Sequence, residues 1–192
     1  IRKIFVLFIS VGLLSACSSS EEKQEFQTKT TSTIVTKEIP YMVGDKKMKG
    51  FLAIPAGEGP FPGVIVVHEW WGQTEYPRDR ARKLAKAGYV GFAVDMYGEG
   101  KTFDHPKGAK AFSQKVMEDL DKAEENFRVA LATLKAQKSV KPDSIAALGY
   151  CFGGGIVLEM ARRGIDIKMV ASYHGNLTPI VKNEVKKFPA RV

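Results

Sequence analysis

Residues 149–153 read Gly-Tyr-Cys-Phe-Gly and close a short apolar run, Ser144 to Leu148, ahead of a helical pattern from Gly154 to Arg162. Glycine two places before and after a cysteine is what a sharp strand-to-helix turn requires, because neither position leaves room for a side chain. Such a turn is a nucleophile elbow with sulfur at its tip. The helix that follows aims its N-terminus at the sulfur, which favours thiolate, and its first N–H groups are free to hold a developing oxyanion. Cys151 is the leading candidate nucleophile. The alternative is a buried structural cysteine in an apolar strand, a common setting for a free thiol.

A second group follows the apolar run Val64 to Val67: His68, Glu69, Trp70, Trp71 and Gly72. It is not a zinc motif, since HExxH would need a histidine where Gly72 stands, and no metal or cofactor is expected. Glu69 is placed to reach Cys151, and backbone N–H groups here could face an oxyanion beside those of the elbow. The competing reading is a loop with tryptophan packing and an exposed carboxylate.

Both groups need a frame that brings them to one edge. Thr33 to Tyr41 alternates and is β-branched, Gly44 and Asp45 offer a turn, and Met48 to Ile54 resumes the alternation, which reads as an antiparallel hairpin. Val64 to Val67 suits a strand buried on both faces. A helix is expected over about Tyr76 to Ala87, with Ala81, Leu84, Ala85 and Tyr89 inward and Gly88 as its stop, then a strand from Tyr89 to Val94. One long helix is expected over about Gly108 to Ala136, closed by Pro142 and Asp143. Strands at Ile145 to Leu148 and Met169 to Tyr173, and the start of another at Phe188 to Val192, complete the pattern. The fold class is α/β: a mostly parallel twisted sheet with helices on both faces and an N-terminal antiparallel hairpin. Sites in such sheets lie at the C-terminal ends of strands, where Cys151 and the segments after Val67 and Tyr173 all fall.

At 192 residues and 44% hydrophobic, the chain has room for one domain with a sizeable core. Its formal charge of +8 is spread along the chain, and no basic block interleaves with aromatics, so nucleic acid is not an expected partner. Arg2 and Lys3 precede an apolar stretch, Ile4 to Leu14, too short to span a bilayer. The ending Leu14-Ser15-Ala16-Cys17 resembles the lipobox of bacterial lipoproteins. That resemblance implies a signal peptide over residues 1–16, lipidation of Cys17, and a membrane-anchored protein of the bacterial envelope, facing the periplasm from the outer membrane where the cell has one. Residues 17–32 are Ser, Thr, Glu, Lys and Gln with little that is apolar, hence a flexible tether. With Cys17 lipidated, Cys151 is the one remaining thiol. A Cys17–Cys151 disulfide is the competing structural reading.

Taken together, VIVVHEWWG, AGYVGFAVDMYG and GYCFGGG resemble the dienelactone hydrolase family of α/β-hydrolases, from about Tyr41 to Val192. The resemblance implies Cys151 as nucleophile, Glu69 as the group that holds the resting thiol and controls its deprotonation, and the main-chain N–H groups of Phe152 and Trp70 as the oxyanion hole. His68, Trp71, Tyr97 and His174 fall where they would line a pocket. The implied reaction is attack on an ester or lactone carbonyl, a thioester, then hydrolysis by water. Where the family's dienelactone-binding enzymes carry an arginine, this chain has Gly98, Glu99 and Gly100, which disfavours a carboxylate substrate there. The fold's acid and histidine are expected beyond Val192. Residues 33–192 are therefore expected to be a partial hydrolase domain, incomplete at its C-terminus, poorly soluble and with little activity as it stands. A lipid-anchored binding protein of the same fold is the alternative function. A thiol redox role lacks the second cysteine of a CxxC pair.

Overall fold

A computed structural model describes residues 33–178 and Arg191. The expected signal peptide, Cys17 and the tether lie outside the described residues, as does most of the last expected strand. Six strands form one sheet in the order β1-β2-β4-β3-β5-β6. β1 (Val35–Val43) and β2 (Lys46–Ile54) are the expected hairpin, with Tyr41 opposite Met48 and Gly44 at φ 54 in the turn. β2 also runs antiparallel to β4 (Val90–Val94), whereas β3 (Phe61–Val67), β4, β5 (Val140–Tyr150) and β6 (Met169–Tyr173) are mutually parallel.

The run Val64 to Val67 is buried on both faces because helices cover each side of it. Ile65 and Val67 join Phe92 and Val94 in a core with Phe127, Leu131, Ile156 and Met160, while Val66 and Ala93 point the other way to Ala81 and Ala85. The first layer is built by α3 (Leu120–Lys135) and α4 (Phe152–Arg162), the second by α1 (Glu75–Lys86). α1 rides very close to β4: a Cβ on Gly91 would lie 2.7 Å from Cα of Ala81. Among the described residues no helix is long and apolar enough to cross a membrane.

Three expectations change. The single long helix is two, α2 (Pro106–Glu118) and α3, because Asp119 leaves helical geometry at φ −125 and ψ 74, and its carboxylate accepts the Lys122 N–H at 3.2 Å to start the second. β5 starts five residues before Ile145: Val140 and Lys141 pair with Phe61 and Pro62 ahead of a register shift, so Pro142 and Asp143 lie within the strand instead of ending a helix. Tyr89, expected on the inner face of α1, is 43% exposed, since it follows the helix end at Gly88. Arg191 bridges Met169 in parallel, with its carbonyl accepting from Val170 N–H at 2.7 Å.

Candidate active site

The elbow takes the strained geometry that its sequence requires. Cys151 sits at φ 53 and ψ −116, a conformation costly for any residue with a Cβ and retained only where the surroundings enforce it. Its N–H donates to the Tyr173 carbonyl at 2.9 Å, so β6 holds the main chain of the turn. A Cβ on Gly149 would collide with the Gly153 carbonyl, and one on Gly153 with the Val67 carbonyl. These two glycines let β5, the turn and β3 touch through backbone alone. Cys151 is a free, half-buried thiol. α4 opens at Phe152, so the Phe152 N–H belongs to the first turn, whose donors have no acceptor within the helix.

The His68–Gly72 segment leaves the C-terminal end of β3 beside this turn. It is fixed at several points. Tyr97 Oη donates to the Trp70 carbonyl at 2.9 Å, and Phe103 N–H to the Trp71 carbonyl at 2.9 Å. Gly72, at φ 85, pairs with Thr102, and a side chain there would strike the Lys101 carbonyl. Trp70 and Trp71 are half-buried with ring centroids 5.0 Å apart. Glu69 is half-buried too, and among the described residues no hydrogen bond or ion pair ties its carboxylate to Cys151 or to any cation.

His68, expected to line a pocket, is fully buried. Its ring packs edge-on to Tyr97 at 4.6 Å and stacks on Phe152 at 5.8 Å. Nε2 accepts the Met96 N–H at 3.2 Å, which leaves Nδ1 to carry the proton and donate to the Glu69 carbonyl at 2.5 Å. Burial pushes its pKa below the ordinary value, opposed by the Glu69 carbonyl and the Asp95 charge. It is a neutral packing residue that joins the elbow helix to the loop after β4. Tyr97, also expected at the pocket, is 1% exposed, and burial raises its phenol well above the usual range, opposed by Ser113 and reinforced by nearby Cys151. His174 is exposed, at φ 46, directly after β6. His105 caps α2 by accepting the Lys107 N–H at 3.2 Å. Among the described residues no hydrogen bond joins a histidine to Cys151.

One organising residue escaped the sequence reading. Asp95, fully buried, accepts from the N–H groups of Tyr97, Gly98, Gly100 and Lys49 at 2.7 to 3.1 Å. It folds the loop that carries Tyr97 under the tryptophans. An acid directly after a buried strand and followed by two closely spaced glycines was the available signal.

A mixed, mostly parallel sheet with a strained cysteine between strand and helix, beside a tethered loop from the neighbouring strand, is the arrangement of an α/β-hydrolase. The sequence matches the dienelactone hydrolase family over residues 48–191, and the chain belongs to that family. It is 34% identical over 126 residues to Protein usf of Aquifex pyrophilus, covering 63% of this chain and 53% of that one. A Synechocystis protein named provisionally as a carboxymethylenebutenolidase is 33% identical over 138 residues, 67% of this chain and 54% of that one. Among solved structures, the dienelactone hydrolase-like promiscuous phosphotriesterase P91 from metagenomic libraries superimposes with a TM-score of 0.77 at 30% identity, over 82% of this chain and 66% of that one. The chain thus spans about half the length of the curated relatives it matches.

Proposed function

We propose that this chain carries the nucleophilic half of a hydrolase for carboxylic esters or lactones. The observation that carries the reading is the strained Cys151 backbone at the head of α4, with the Phe152 N–H unclaimed by the helix and the Trp70 segment held beside it. The thiolate attacks the carbonyl carbon, the C=O π pair moves onto oxygen, and the N–H groups of Phe152 and Trp70 take up that charge. Collapse expels the alkoxide, which takes up the proton that the Cys151 thiol gave up on becoming thiolate, and forms a thioester. Water then attacks the thioester, releases the acid and returns the thiol. Glu69 is the proposed switch for the resting thiol. The name of the Synechocystis relative supports a lactone or enol-ester substrate.

The second half of the cycle needs a base that activates water; His68 and His105 are engaged by main-chain groups, and among the described residues no hydrogen bond joins His174 to Cys151. We assign that role to an acid and a histidine on strands beyond β6. Acylation is therefore expected to outrun deacylation in the 192-residue chain, and a version carrying two further strands with those residues is expected to turn over faster. Incubation with p-nitrophenyl acetate should give a stoichiometric burst of nitrophenolate and an acetyl group on the Cys151 peptide by mass spectrometry. Cys151→Ala should show neither. An equal burst in the variant would end the nucleophile assignment.

A further inference from the structure

From Gly153 to Ala161 α4 is buried, and everything it encloses there is glycine or hydrocarbon except Glu159, which is 3% exposed. A carboxylate in that setting costs free energy unless cations meet it. Two arginines do, and they act on different parts of the fold. Arg163 lies with Nε 3.9 Å from Glu159 and donates through Nη1 to Asp121 and Glu124 at 2.8 Å each, which ties α4 to the start of α3. Arg162 donates through Nη1 to Glu159 at 3.4 Å and through Nη2 to the Leu177 carbonyl at 2.7 Å. Helix side chains lean toward the N-terminus, so this guanidinium comes back along α4 from its C-terminal end.

Leu177 belongs to the segment that follows β6. From Tyr173 to Leu177 the chain lies along α4 as a strap, held at three points. The Tyr173 carbonyl takes the Cys151 N–H at 2.9 Å. Gly175 rests on the glycines of the helix: a Cβ there would lie 2.6 Å from the Gly155 nitrogen, and one on Gly154 would lie 2.9 Å from the Gly175 Cα. Arg162 holds the far end. The first two points are main chain against main chain, so of the three only the Arg162 clamp is made by a side chain.

What the strap controls is the aim of a donor. Cys151, at φ 53 and ψ −116, keeps an unfavourable conformation that persists only while its neighbours enforce it. Its ψ sets the plane of the Cys151–Phe152 peptide, and with it the direction of the Phe152 N–H. Released at Leu177, the strap can draw the Tyr173 carbonyl away, and the turn then relaxes and swings that N–H off its line. We propose that Arg162, oriented by the buried Glu159, is a positioning residue for the oxyanion hole. It acts through the strap and touches no substrate. The inference rests on the reading of Cys151 as the nucleophile.

Two single-turnover rates at Cys151, measured on the full chain well below the melting temperature of each variant, separate aim from reactivity. Acetylation by p-nitrophenyl acetate passes through an oxyanion, whereas alkylation by iodoacetamide displaces iodide at a saturated carbon and forms none. Arg162→Met is expected to slow the acetylation burst by about tenfold or more and to leave alkylation within about twofold. Arg163→Met, which breaks the ties to Asp121 and Glu124 but leaves Leu177 alone, should lower the melting temperature and leave the burst rate unchanged. Arg162→Lys keeps the charge but gives up the fork that serves Glu159 and Leu177 together, so it should give an intermediate burst rate. That variant keeps the test open should Arg162→Met fail to fold. An unslowed burst in both Arg162 variants would overturn the clamp and leave the reading of Cys151 standing. Equal losses in acetylation and alkylation, or equal slowing by Arg163→Met, would overturn it by making Arg162 a general stabiliser. No burst from the unmodified chain would overturn both the reading and the clamp.

Discussion

His68 shows how far a chemically versatile side chain can be given over to packing. Both ring nitrogens are engaged by main-chain groups, and its burial favours the neutral form. The folded pKa lies below the unfolded value of about 6.5, so the unfolded state binds more protons in that window. The associated stability is fully present above pH of about 6.5 and is lost as pH falls below it. Melting temperature should therefore drop between pH 7 and pH 5, and His68→Gln should flatten that slope; an unchanged slope would assign it to other groups. Tyr97 acts one step nearer the chemistry. Tyr97→Phe removes the bond to the Trp70 carbonyl and is expected to cost about 1 kcal/mol by denaturant titration, together with a slower acetylation burst at Cys151.

At the scale of elements, small residues decide how closely the layers approach. Gly91 leaves α1 and β4 in direct backbone contact, and Gly91→Ala should push the helix outward at a cost of about 2 kcal/mol, measurable as a lowered denaturation midpoint. Most elements were legible because their signals are local. The hairpin declared itself through alternation around Gly44 and Asp45, β3 through its unbroken apolar run, and the elbow through Gly149 and Gly153. Two boundaries were not. A helical apolar spacing runs straight through Asp119, and only the cap bond to Lys122 shows that the chain restarts there. Pro142 reads as a terminator, yet it sits in β5 next to a register shift that depends on a strand some 80 residues earlier. For the site, residue types and the shared edge could be read in advance. The burial of His68 and Tyr97 could not, because it depends on Phe152 and the loop after β4 packing over them.

On the scale of the whole molecule, the formal charge of +8 and the lipobox-like Cys17 act on the same question of where the protein resides. Charge attraction to anionic lipid is screened over roughly 10 Å at 0.1 M salt, whereas acyl chains hold by hydrophobic burial. We propose that Cys17 is lipidated, so that the protein expressed in bacteria should enter the membrane fraction and resist a high-salt wash. Cys17→Ala should leave only a salt-releasable fraction, and equal salt resistance in both would remove the lipid from the account.

The turn at Cys151 is set by its neighbours: the Tyr173 carbonyl holds its N–H, and the glycines on either side make room for the bend. The scaffold is accordingly indifferent to which heteroatom it displays. A serine exchanged into this socket would occupy the same spot without remodelling anything around it, so evolution could swap one warhead for another here and leave reactivity to be decided by whatever base is on hand.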